Sequence, residues 1–395
     1  MGKTAAAQYL TKCLVATMLL AGLRLAQAQT ESVFFDFTTQ DQGAQPYAGL
    51  IADKKGNLYG QTNQGGIYNG GTVFKVSQAG TEKVLHSFDP NGGDGGGPYG
   101  SLVMDSKGNL YGTTVGGGTR IPPVGTVFKL SPGGTETVLY SFGASSATDG
   151  YEPRGALILD AEGNLYGTTE LGGANGGGTV FKLSPSGTET ILYNFCAEPS
   201  CADGNSPLGS LIMDKRGNLY GTTYNGGAHD QGTVFKLGAS GSYKVLHSFD
   251  SQSGDGAYPY YVDLIQDKSG NLYGTTSGGG TAGGGTVFKI TTGGTEVVVY
   301  SFGSQSGDGS GPCGSLAMDA SGNLYGTTNG GGAGKRGTVF EITPTHKESV
   351  LYSFQGDNDG EYPYAGPTIY GGNLYGTTEA GGGDFGGGIV FKLIP

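Results

Sequence analysis

The chain has 395 residues and a formal net charge of −11, with only 14% of its residues charged. A surface of that sign repels phosphate backbones, which argues against nucleic acid as a partner. Glycine supplies 81 residues and tryptophan none. That much glycine would suggest low complexity, but the glycines recur at fixed places between β-branched and aromatic segments, the pattern of short strands joined by tight turns.

Residues 1–28 have the layout of a secretory signal: Lys3 and Lys12 are cationic, Cys13 to Leu23 are largely apolar, and Ala26-Gln27-Ala28 is a small-x-small cleavage site. The apolar run falls short of the roughly 20 residues that span a bilayer. The mature chain is expected to start near Gln29, secreted or at the cell surface, with no transmembrane segment left. Losing Lys3, Lys12 and Arg24 and no acid takes the net charge from −11 to −14.

Self-similarity dominates the rest of the chain. Gly-Asn-Leu-Tyr-Gly begins at 56, 108, 163, 217, 270, 322 and 372, at intervals of 50 to 55 residues, and each unit carries a Val-Phe pair further on. In the second unit, Ser101–Met104, Leu110–Thr114, Thr126–Leu130 and Thr137–Phe142 read as four strands, joined alternately by short and long links. Four strands in about 50 residues, with no helical periodicity, make one propeller blade. Asp53, Asp105, Asp160, Asp214, Asp267 and Asp319 open the Asp-x-x-Gly-Asn turns, where Asp caps the turn and Gly takes the positive φ.

The ends set the topology. The last unit stops after its third strand at Phe391-Lys392-Leu393-Ile394-Pro395, and the missing fourth lies at the start: Glu31-Ser32-Val33-Phe34-Phe35-Asp36-Phe37 matches Glu136-Thr137-Val138-Leu139-Tyr140-Ser141-Phe142 position for position. Residues 29–395 are therefore expected to form one all-β domain, a seven-bladed β-propeller of four antiparallel strands per blade, with the N-terminal strand completing the last blade. A monomer is expected. Cys196 and Cys201 are close enough to form a local disulfide, with Cys313 left over as a buried small side chain.

The Leu-Tyr-Gly-Thr-Thr…Gly-Gly…Gly-Thr-Val-Phe pattern resembles the GloVer-type tandem repeat of exported bacterial proteins, over nearly all of the mature chain. Its Asp-x-x-Gly-Asn-Leu-Tyr portion is also similar to propeller repeats of the NHL kind. The resemblance implies export and tandem architecture, and assigns no reaction and no catalytic residues.

Alternating strand direction puts both sets of long links on one face, where binding residues are usually carried. The links between blades share Asp-Gly followed by Pro. The residues after each Pro, Tyr47, Tyr99, Arg154, Leu208, Tyr260, Cys313 and Tyr364, should ring the channel mouth. Tyrosines there could stack on sugar rings or grip a peptide, or wedge between blades as packing. His86 and His247 stand where other units have Tyr and are repeat positions. His229, beside Asp230, departs from its repeat, with solvent exposure the simpler account. No cofactor is expected, calcium excepted: Asp357 and Asp359 are the densest carboxylate pair in an Asp-Gly loop. No Gly-x-Ser-x-Gly, His-Glu-x-x-His or Cys-x-x-Cys occurs. The leading expectation is a non-catalytic module binding a glycan, a peptide or a cell-surface macromolecule, or a surface scaffold. The alternative is a glycan-active hydrolase or lyase using carboxylates on the long-loop face.

Overall fold

The computed structural model describes residues 30–119, 124–143 and 148–395; the signal segment expected at 1–28 lies outside the described residues. Seven four-stranded antiparallel sheets follow one another, each a meander from an inner to an outer strand. We number them blade one to blade seven from the sheet that opens at Ile51–Ala52. In blade two the strands are Val103–Met104, Leu110–Thr114, Thr126–Leu130 and Glu136–Ser141. The inner strand has a shorter ladder than its sequence suggests, because the chain before it turns across the channel. There a Cβ on Gly100 would lie 2.6 Å from the backbone of Gly155 in the next blade.

Blade seven is closed as the repeat alignment predicts. Thr30–Asp36 is its outer strand, with Thr30 opposite Ile394 and Asp36 opposite Ile389. The ladder bulges at Phe34, between Val33 and Phe35, just as blade two bulges at Leu139 against Val127 and Phe128. The same irregularity at the same repeat position shows that the N-terminal segment is a true fourth strand, bulge included.

Each short turn between the inner two strands has a local cause. In blade two the Asp105 carbonyl accepts from the Gly108 N–H, and Gly108 sits at φ +82. The Asp105 carboxylate accepts from the backbone N–H groups of Lys107 and Asn109, the Asn109 side chain and the Tyr111 hydroxyl. Burial works against its charge, but these hydrogen bonds outweigh it and hold the carboxyl below its usual range.

Between blades the contact is aromatic. The phenylalanine that ends each outer strand packs edge-on against the third-strand phenylalanine of the next blade. Phe88 meets Phe128, Phe142 meets Phe181, and so on round to Phe354 with Phe391 and Phe37 with Phe74, all with centroids 4.9–5.4 Å apart. The third-strand ring lies over the Gly of Leu-Tyr-Gly in its own blade: a Cβ on Gly167 would come within 2.7 Å of the Phe181 Cζ. The first Thr of Leu-Tyr-Gly-Thr-Thr also reaches across, as Thr168 donates to the Gly209 carbonyl at 3.0 Å and Thr377 to that of Ala48 at 3.1 Å.

At the rim, the fifth residue of the outer strand meets the aspartate of the following Asp-Gly. His86 Nε2 lies 2.8 Å from Asp94, the Tyr193 hydroxyl donates to Asp203 at 2.8 Å, and Tyr352 donates to Asp359. These carboxylates thus hold their own loops, and His86 does the work of a tyrosine. The junction of blades seven and one has Phe35 and Gln42 instead, with Gln42 accepting from the Thr38 and Thr39 N–H groups. The outer strand also tends to open on a glutamate with one buried oxygen that has no hydrogen-bond partner, as in Glu31, Glu82, Glu136, Glu189 and Glu348. Burial raises each of these carboxyls from 4.5 to about 7, and a neighbouring aspartate adds to the shift at all of them but Glu82.

Cys196 and Cys201 form a disulfide within the loop from blade three to blade four. Cys313 is enclosed at 1% exposure, and burial pushes its thiol up to about 12. No helix among the described residues is long and apolar enough to cross a membrane.

Three outcomes test this account. A chain starting at residue 42 lacks the closing strand and exposes the edge of Ile389–Ile394, so it should aggregate or melt at least about 10 °C below one starting at residue 29. Equal melting temperatures would refute the closure. Gly167→Ala should cost about 1–3 kcal/mol in denaturant unfolding through overpacking against Phe181. Gly133→Ala has only the Ser131 side chain near it, at 3.8 Å, and should be close to neutral. The rim glutamates stay protonated in the fold up to about 7, whereas the unfolded chain releases those protons from 4.5. Stability should therefore fall as pH rises from 4.5 to 7. Turn aspartates such as Asp53, Asp105 and Asp214, held low, oppose this only below pH 4. Melting should come at least about 2 °C higher at pH 5 than at pH 8; a flat profile would contradict the assignment.

Candidate ligand-binding mouth

The chain segments that lead into the inner strands crowd the channel. A Cβ on Gly155 would lie 2.6 Å from the Gly209 carbonyl, and one on Gly314 the same distance from the Tyr364 carbonyl. This backbone ring makes a floor. Above it, on the long-loop face, opens a small cleft of about 40 Å³ lined by Tyr47, Tyr99, Arg154, Tyr261, Asp263 and Tyr364 among others.

Proline sets the ring in place. Each post-Asp-Gly proline packs on the last glycine of the preceding blade's long loop: a Cβ on Gly125, which is at φ +109, would meet the Pro153 Cδ at 2.8 Å. The next residue is then turned toward the axis. Tyr47 and Tyr99 stack at 5.1 Å with 25° between planes, Tyr47 meets Tyr364 at 5.3 Å, and Tyr99 stacks on Tyr261 at 5.8 Å and 15°. All are half-buried.

Arg154 lies over the Tyr99 ring, 4.9 Å from its centroid. Its guanidinium donates to Glu170, to Glu152 at 2.8 Å and to the Tyr261 hydroxyl at 3.1 Å. Burial disfavours its charge, but these partners hold it protonated. Tyr47 donates to Glu379, and burial with that bond raises the phenol. Asp263 accepts from the Ser315 hydroxyl at 2.6 Å and the Ser210 N–H at 2.8 Å. The carboxylates at the mouth are thus engaged by named donors, and the solvent-facing surface is aromatic around one cation.

Of the residues that the proline spacing places at the mouth, Tyr47, Tyr99, Arg154, Leu208 and Tyr364 line the cleft. Tyr260 stands behind Tyr261, 4.4 Å from it and 5.5 Å from Tyr224, and Tyr261 takes the lining place. The reason is one extra residue in that loop. Counting back three from the inner-strand leucine gives Tyr47 from Leu50, Tyr99 from Leu102 and Arg154 from Leu157, and Tyr261 from Leu264. Counting forward from Pro259 gives Tyr260. Cys313 is enclosed, and Gly314 and Ser315 line the cleft in its stead. Asp263, Ser315, Glu170 and Glu379 break no repeat rule loudly enough to be singled out from sequence.

His229 lies away from this cleft, half exposed and 3.9 Å from Asp250. Asp359 accepts from Tyr352 and from the Gln355 N–H. Asp357 lines a separate shallow cleft with Asn358, Glu361 and Asp384. The long loops of the neighbouring blades one and seven expose Ile67, Tyr68 and Phe385.

No curated protein matches the chain. Among solved structures, the extracellular domain of BT4673 from B. thetaiotaomicron, described as a hybrid two component system, superposes with a TM-score of 0.61 at 12% identity, over 93% of this chain and 40% of that one. The extracellular domain of BT3049 from the same organism, described in the same terms, gives 0.60 at 12% identity, over 93% and 41%. The chain thus spans about 40% of the length of those structures, and the likeness is one of fold. A model of the Gloeobacter/Verrucomicrobia repeat matches residues 23–147, 91–265 and 254–395. With the repeat covering the propeller from end to end, the chain belongs to the Gloeobacter/Verrucomicrobia repeat family.

Proposed function

We propose that this is an exported, non-catalytic propeller that binds a glycan at the mouth of its long-loop face. The observation that carries the reading is the half-buried cup of Tyr47, Tyr99, Tyr261 and Tyr364 around Arg154. Flat apolar rings with polar edges suit the faces of sugars, and the guanidinium and hydroxyl groups offer donors to their oxygens. Export is supported by the signal-like residues 1–28 and by the Cys196–Cys201 disulfide, which suits an oxidising compartment. Binding is favoured over turnover because Glu152, Glu170, Glu379 and Asp263 already hold Arg154, Tyr47, Ser210 and Ser315. A carboxylate so engaged is poorly placed to act as a free acid or base. Exposed Ile67, Tyr68 and Phe385 on the same face give a larger partner further apolar contact.

The test is a glycan array followed by calorimetry on the hits. Each stacking tyrosine contributes about 1 kcal/mol beyond burial. Tyr99→Ala and Tyr261→Ala should therefore each weaken binding by about fivefold or more, whereas Lys107→Ala and Thr345→Ala in the short turns should leave it unchanged. If the tyrosine variants lose melting temperature and keep the affinity, the rings are interblade packing and the reading fails.

A further inference from the structure

The junction of blades four and five differs from the others at its rim. His247, in the outer strand of blade four, stands with Nε2 2.7 Å from the Oδ2 of Asp255 in the loop between the blades. Glu296 opens the outer strand of blade five, and one ligand atom from each of the three lies within 4.8 Å of the other two. Among the described residues no other set of three His, Cys, Asp or Glu side chains gathers in this way. Asp255 is 8% exposed and fixed by the N–H groups of Asp250 and Gly256, so its carboxylate is already aimed. Glu296 has a buried oxygen with no hydrogen-bond partner.

We propose that His247, Asp255 and Glu296 form a divalent transition-metal site, of the zinc class, that clamps blade four to blade five. One imidazole nitrogen and two carboxylate oxygens match the donor preference of zinc, and two negative charges balance the ion. Three protein ligands leave a fourth position for water. Calcium is a poor fit, since it takes six to eight oxygens. The orphaned Glu296 oxygen gains a partner, and at the rim the ion joins elements of two blades that nearer the axis are tied by the Thr222 hydroxyl to the Val262 carbonyl. In blades two, three, five and six the place of His247 is Tyr140, Tyr193, Tyr300 and Tyr352, and a neutral phenol is a weak zinc ligand. The junction of blades one and two has the same residue types, His86, Asp94 and Glu136, without the close gathering. The site is thus a repeat position turned to a new use at one of seven junctions.

The experiment uses the mature chain, stripped with EDTA and titrated with zinc chloride alone. One ion per chain should bind, and the melting temperature should rise by several degrees in excess zinc. His247→Tyr restores the residue common in the other blades, so it should fold. It should lower zinc affinity at least tenfold and abolish the thermal shift, and Glu296→Gln should do likewise. His86→Tyr should leave both readings as in the unaltered chain. Should His247→Tyr prove unstable without metal, Glu296→Gln decides alone. Zinc uptake and thermal shift that persist unchanged in Glu296→Gln, or no uptake by the unaltered chain, would overturn the proposal.

Discussion

The edge-on contact between a phenylalanine ending one outer strand and a phenylalanine in the third strand of the next blade is the interaction on which the ring depends. It occurs at all seven junctions with centroids 4.9–5.4 Å apart. It explains the repeat from the inside out. The receiving ring needs the flat patch above the glycine of Leu-Tyr-Gly, the donor ring needs the strand to run to its full length, and the threonines tie the second strand to the next blade once the rings have set the spacing. A domain with no tryptophan builds its core this way: each blade contributes a few rings and leucines, and each ring is shared with a neighbour.

Polar groups are sorted by radius. Near the axis, glycines such as Gly100, Gly155 and Gly209 let the inner segments approach main chain to main chain, and only small or hydrogen-bonded side chains such as Ser210, Asp263 and Ser315 fit beside them. At the periphery the Asp-Gly loops are latched by tyrosine or histidine, and glutamates sit against them with unmatched oxygens. Such groups destabilise the charged form. The rim is therefore where the ring responds to its surroundings, while the aromatic contacts beneath it do not titrate.

Much of this was legible in the sequence. Seven Gly-Asn-Leu-Tyr-Gly segments fix the blade count, and the match of Glu31–Phe37 to Glu136–Phe142 fixes the closure down to its bulge. Strand and turn residues recur because the same local physics acts seven times. The mouth was legible only in part, since it is made from the positions at which the repeats differ. Tyr47, Tyr99, Arg154 and Tyr364 followed from spacing, but a single added residue before Leu264 exchanged Tyr260 for Tyr261. Asp263 and Ser315 come from neighbouring blades, and their 2.6 Å hydrogen bond exists only once those two blades are packed together. The gathering of His247, Asp255 and Glu296 is of the same kind: each is unremarkable in its own repeat, and the sequence does not say which seven-fold position converges.

The closing strand gives the domain an uneven mechanical character. Thr30 and Ile394 face each other at the end of one antiparallel ladder, so tension drawn through both flanking segments pulls the two strands apart from that end. The ladder then opens as a zipper, one hydrogen bond after another, each contributing about 1 kcal/mol, rather than in shear with all bonds loaded together. The pairing that closes the ring is thus loaded one bond at a time when the chain is pulled from its ends.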